Sequence, residues 1–151
     1  MLKNQYFPLF LMAALSFTVM YILMYAMVDT FTNAIPNLNQ IYMAGLMAAP
    51  MVVIELLLMK GMYQNKKANA AIIACSVLVM VGFFLLIRQQ AAINDKQFLK
   101  SMVPHHASAI LMCKEAKLKD PEIQALCKEI IASQQKEIDQ MRTKLEVLEG
   151  R

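Results

Sequence analysis

The sequence predicts an all-α protein in which three transmembrane helices are followed by an antiparallel helical hairpin. Three observations carry that prediction. The apolar residues gather in three charge-poor blocks, the chain from Arg88 onward changes abruptly to a mixture of 11 basic and nine acidic residues, and Asp120-Pro121-Glu122 divides that charged tail into two helical patterns.

The first block runs from Pro8 to Val28 without a charge, the second from Ile41 to Met59 with only Glu55 charged, and the third from Asn69 to Ile87 without a charge. Each comes to about the 20 residues that carry an α-helix across the hydrocarbon of a bilayer. Strands fit poorly there, because lipid offers no partner to an open sheet edge. The first block is long for the apolar part of a secretory signal, and no small-residue cleavage site follows it in Met24-Tyr25-Ala26-Met27-Val28-Asp29, so it reads as a retained span. The chain of 151 residues, 58% hydrophobic with 14 Met and no Trp, therefore divides into a membrane domain over 1–88 and a tail domain over 89–151.

Basic residues prefer the cytoplasmic side. Lys3 precedes the first span, and Lys60, Lys66 and Lys67 mark the connection between the second and third, whereas Asp29 is the only charge in the connection that runs to Gln40. The expected topology places the amino terminus and the 60–68 loop in the cytoplasm and the 29–40 loop and the tail outside, in a multi-pass protein of the inner or plasma membrane. Arg88 pulls mildly against this.

Within the spans, Met43, Met47, Met51, Glu55 and Met59 recur every four residues, and Met12, Ser16, Met20, Met24 and Met27 nearly so. A thioether path for a soft cation would have this spacing, but adaptable helix packing accounts for it more simply. Glu55, with Lys60 in the next turn, reads as an end-of-helix residue; Pro50 reads as a bend, and Cys75 as a small buried apolar residue. No Gly-rich phosphate loop exists to power a pump.

From Arg88 to Arg151 the charges differ by only +2 and are interspersed, which describes a solvated surface and excludes a nucleic-acid footprint. One helix is expected over about 91–118. Asp120 then supplies a cap, Pro121 the first helical position and Glu122 a favourable charge for a second helix reaching about Leu148, with Gly150 beyond it. That helix turns Ile123, Leu126 or Cys127, Ile130, Gln134, Glu137 or Ile138, Met141, Leu145 and Leu148 to one side. A turn this short makes the helices antiparallel neighbours. With the bend at 119–120, Cys113 is expected opposite Cys127, His106 opposite Gln134, and Met102 opposite Ile138 and Glu137. Such a pair has little core of its own, so it is expected to dimerise into a four-helix bundle or to lie against the membrane helices.

Both histidines of the chain fall in Ser101-Met102-Val103-Pro104-His105-His106-Ala107-Ser108-Ala109-Ile110-Leu111-Met112-Cys113. Helical offsets of three, four and seven bring Met102, His105 or His106, Ala109, and Met112 or Cys113 to one face. Imidazole and thioether suit copper, thioether favouring the reduced ion, whereas calcium and magnesium require oxygens that this stretch lacks. Packing and solubility would explain the same residues without a metal. The expected register sets Gln134 and Glu137 beside the histidines, and an apolar seam interrupted by polar groups on both sides is harder to attribute to packing, since buried polar groups need partners. Pro104 implies either that the working helix begins near Ser101 or that a longer helix bends there. Cys113 and Cys127 have three readings: a disulfide, a thiol pair for metal, or two small residues in a seam.

The run Phe98-Leu99-Lys100-Ser101-Met102-Val103-Pro104-His105-His106-Ala107-Ser108-Ala109-Ile110-Leu111-Met112, with Asp120-Pro121-Glu122-Ile123 and then Ile130-Ile131-Ala132-Ser133-Gln134-Gln135-Lys136-Glu137-Ile138-Asp139-Gln140-Met141, resembles the ferritin-like family known as domain of unknown function 305. The resemblance covers about residues 92–148. It implies extracytoplasmic helical hairpins or bundles, some associated with copper binding or tolerance, and it highlights Met102, His105, His106, Met112, Gln134, Glu137 and Met141. Cys113 and Cys127 depart from it, standing where small apolar residues are usual.

The expectation is a membrane-anchored protein that binds copper, as Cu(I) or Cu(II), for handling, sensing or tolerance. Its expected metal-binding residues are Met102, His105, His106, Met112, Glu137 and Met141, with Gln134, Cys113 and Cys127 as neighbouring or additional ligands. Its expected partners are the lipid bilayer, a second copy of the chain and a copper-handling protein. One alternative is a helical interaction or assembly module without metal. Another is a metal-dependent redox enzyme, but the tail lacks the two Glu-x-x-His units of a carboxylate di-iron bundle and offers no nucleophile triad.

Overall fold

A computed structural model describes residues 5–150, and every regular element among them is helical. Five α-helices follow in order: α1 Tyr6–Leu23, α2 Leu38–Leu58, α3 Lys66–Gln89, α4 Asp95–Glu115 and α5 Pro121–Glu149. A 3₁₀ turn extends α1 to Met27, and the segments Tyr6–Met27, Leu38–Leu58 and Lys66–Gln89 are each long and apolar enough to span a membrane. This is a multi-spanning helical membrane protein. Lys3 lies outside the described residues.

The chain forms two compact units, one from residues 5–24 and 39–91, the other from Tyr25–Leu38 and residues 92–150. In the first, Leu9, Leu56 and Tyr63 are buried together, with Tyr6, Met12, Val52, Ile72 and Ile73 packed around them. Polar groups at that end are satisfied in sequence. The Tyr6 hydroxyl donates to Asn69 Oδ1 at 2.7 Å, and Asn69 Nδ2 donates to the Tyr63 carbonyl at 2.7 Å. Glu55 accepts from the buried Tyr63 hydroxyl at 3.4 Å, consistent with an end-of-helix residue.

Pro50 lies inside α2, which remains helical through it. Helices α2 and α3 meet closely at Gly45, where an added Cβ would enter the Phe83 ring. Ala48 and Ala49, one turn on, are buried as well. Small residues at such a contact let membrane helices approach until their backbones are nearly in touch. Gly45→Leu is therefore expected to destabilise this contact by about 1–3 kcal/mol, as overpacking does, and to lower the thermal midpoint in detergent. A midpoint equal to that of the unmodified chain would mean that Phe83 swings aside at no cost.

The second unit is centred on α4 and α5. The expected start of α4 near residue 91 is corrected to Asp95: Gln90 and Ala92 take left-handed conformations, with φ of 49° and 58°, and Asn94 caps the new helix by accepting from Gln97 N at 3.0 Å. Pro104 sits within α4, which runs past it. The restart of α5 follows the expected chemistry, with Asp120 Oδ1 accepting from Glu122 N at 2.9 Å and Ile123 N at 3.1 Å. Gly150, at φ 75°, ends the helix in the left-handed conformation that glycine adopts without cost.

Contacts descend along α4 as they ascend along α5, which makes the pair antiparallel: Lys100 bonds Glu149 at 2.8 Å, and His106 bonds Glu137 at 2.7 Å. Val103, Ala107, Ile110 and Ile138 form the buried seam. The pair gains a third layer that the sequence reading did not provide. Val28 and Ile35, from the connection between the first two spans, pack on that seam. Arg142 donates to the Thr32 carbonyl at 2.6 Å and to Asn33 Oδ1 at 2.7 Å, and Gln97 Oε1 accepts from Leu38 N at 3.0 Å. Asp29, its side chain only 6% exposed, accepts from Asn33 Nδ2 at 2.6 Å and lies 3.8 Å from Lys114 Nζ. The connection and the tail thus share one core, as they can if the two crossings between them, α2 and α3, return the chain to the same side of a membrane.

Candidate functional site

The buried seam is apolar except at His106, which is 7% exposed. Its Nδ1 stands 2.9 Å from the Met102 carbonyl one turn back, and its Nε2 stands 2.7 Å from Glu137 Oε2 across the seam. A carbonyl oxygen only accepts, so Nδ1 carries a hydrogen and donates to it. Nε2 then faces a carboxylate, and a bond between two acceptors needs a proton of its own. Either the ring is an imidazolium paired with a carboxylate, or Glu137 is a carboxylic acid donating to Nε2.

The expected register is corrected here. His106 meets Glu137, not Gln134, although Cys113 and Cys127 nearer the bend do face one another as expected. Gln134 lies almost a full turn before Glu137 on α5, half-buried. Continuing four residues from the His106 and Glu137 pair, backward on α4 and forward on α5, sets Met102 opposite Met141. Both thioethers are half-buried, and Met141 packs on the seam. The structure brings His106 and Glu137 into contact, and the register sets Met102 and Met141 one turn along from them on their own helices.

Two others lie elsewhere. His105 points to solvent, its ring edge-on to that of His106 with centroids 6.0 Å apart, and Met112 is 52% exposed. Among the described residues no group of three or more His, Cys, Asp or Glu converges as a metal site would require if built from those types alone. The thioethers stand outside that set of types.

Cys113 and Cys127 are free thiols side by side at the bend end of the hairpin. The hydrogen bond with Cys127 pushes the Cys113 thiol above its ordinary range, and burial adds to that. Both line a pocket of about 240 Å³ with Leu118, Lys128 and Ile131. The register made this pair legible in the sequence. What sequence reasoning missed is Arg142, Asp29 and Asn33, which fasten the connection to the hairpin; an isolated arginine on a predicted helix and polar residues in a loop carry no spacing signal.

The family model described as "Domain of unknown function (DUF305)" matches residues 85–145. The chain is also similar to "Uncharacterized protein L153" of Acanthamoeba polyphaga mimivirus, at 39% identity over 112 residues, which are 73% of this chain and 72% of that protein. No solved structure matches. Together these similarities place the chain in the DUF305 family.

Proposed function

We propose that this is a membrane-anchored copper-binding protein serving copper handling, sensing or tolerance, with Met102, His106, Glu137 and Met141 as the ligand set. The observation that supports it is the orientation of His106. A backbone carbonyl fixes the Nδ1 hydrogen and aims Nε2 at a carboxylate, which is the arrangement that prepares an imidazole to ligate a metal. The donor chemistry fits copper: thioethers favour the reduced ion and imidazole accommodates either state. An imidazole and a carboxylate ligate a metal only without their protons, so copper would compete with protons for His106 and Glu137 and binding would weaken as the solution is made acidic. His105 and Met112 then serve at the exposed rim, and Gln134 beside the set. The proposed topology keeps the lysine-bearing 60–68 loop in the cytoplasm and exposes the hairpin on the other side.

The reading in which the hairpin is an interaction module without metal is favoured by the same pair, because His106 already has a partner at each ring nitrogen. Metal analysis decides between them. Protein purified in detergent and titrated with reduced copper is expected to bind it, and the double variant His105→Ala, His106→Ala to lose at least tenfold in affinity. Unchanged affinity in the double variant would end the metal assignment.

A further inference from the structure

We propose that Cys113 and Cys127 form a second soft-metal site, separate from His106, which clamps one monovalent copper ion between two sulfurs at the bend of the hairpin. Two observations place the sulfurs together. The register brings the residues opposite one another, and both line the same pocket of about 240 Å³. Both are free thiols. Thiols in hydrogen-bonding contact stand farther apart than the roughly 2.0 Å of a disulfide, and a spacing wider than a bond suits sulfurs that face each other across an ion.

Thiolate sulfur selects reduced copper, whereas structural zinc sites are completed by four ligands, which this pocket does not supply. Reduced copper is satisfied by two sulfurs in a line, so a site needs no third donor. In the binding step each thiol passes its proton to solvent and each sulfur gives an electron pair to the ion, with no change of oxidation state. The product carries one net negative charge. Lys128, on the wall of the pocket, supplies the opposite charge, and Leu118 and Ile131 shield the sulfurs from water.

The test is an anaerobic titration of the full-length, pre-reduced chain in detergent with Cu(I), in competition with bicinchoninate. It reads the equivalents bound and the sulfur-to-copper absorption in the near ultraviolet. Cys113→Ala and Cys127→Ala are each expected to lose one equivalent together with most of that absorption, and Cys75→Ala to keep both. His106→Ala is expected to lose a different equivalent and to keep the thiolate absorption, so failure of either site shows separately. A Cys113→Ala, Cys127→Ala double variant that binds as much copper as the unmodified chain, with the same absorption, would overturn the proposal. Alkylation of the unmodified chain gives an answer independent of how the variants fold. Copper is expected to protect Cys113 and Cys127 from N-ethylmaleimide but not Cys75, and equal labelling of all three with and without copper would overturn the site.

Discussion

Replacing Ile138 by alanine in the full-length chain is expected to lower the stability of the tail by about 2–5 kcal/mol, the range for truncating a fully enclosed branched side chain to a methyl group. Ile138 is 1% exposed and closes the seam against Val103, Ala107 and Ile110. Val103 and Ile110 are β-branched and stiff and Ala107 is short, so none of these three neighbours extends into the space that Ile138 leaves. Unfolding by denaturant, followed by helical circular dichroism in detergent, measures the loss. Ile123→Ala serves as the control, since Ile123 is 47% exposed and a surface change is expected to stay within about 0.5 kcal/mol. Equal losses at both positions would mean that the seam is not the core of the tail.

The second large effect is expected at Arg142. Its guanidinium reaches the Thr32 carbonyl and the side chain of Asn33, a residue only 4% exposed. Hydrogen bonds from a charged donor contribute about 1.5–3 kcal/mol each, and a buried acceptor that loses its donor costs about 1–3 kcal/mol. Part of that is recovered by water at the exposed Thr32, so the expected cost of Arg142→Met is on the order of 2 kcal/mol. Methionine keeps most of the length and apolar stem while removing the donors. The cost should appear first as release of the 25–38 connection from the hairpin, read as new protease cleavage between Asp29 and Asn37. Protection equal to that of the unmodified chain would show that Val28 and Ile35 hold the connection without the arginine.

The parts of this fold that were legible from residues alone are those with strong local causes. Three apolar blocks have no stable alternative in lipid, and Asp120-Pro121 leaves a helix little choice of starting point. Cys113 faces Cys127 because a short bend constrains the register of the turns nearest to it. Farther from the bend that constraint fades. The seam then selects the helix faces that interlock, and His106 meets Glu137 instead of Gln134. The start of α4 had a usable signal in Asn94, a good cap with an acidic residue after it, but Gln90 and Ala92 are not residues that announce a left-handed turn. The connection between the first two spans was the least legible part. Asp29, Asn33 and Ile35 have no periodicity, and their roles exist only once Arg142, Lys114 and the seam are assembled around them.

The candidate site was legible as a set of residue types but not as a geometry. The helical spacing left His105 and His106 as equals, and it offered Met112 on the same terms as Met102. Burial and the Met102 carbonyl separate them. His106 turns inward to Glu137, with Met102 and Met141 four residues to one side, while His105 and Met112 face water.

That separation makes the central claim directly measurable. Reduced copper is titrated into the purified full-length chain carrying His105→Ala or His106→Ala, each compared with the unmodified protein under the same competitor. The ligand set of Met102, His106, Glu137 and Met141 predicts that His106→Ala weakens binding at that site by at least tenfold, whereas His105→Ala changes it by less than about threefold, under 1 kcal/mol. Equal losses from the two variants, or a loss confined to His105→Ala, would contradict it.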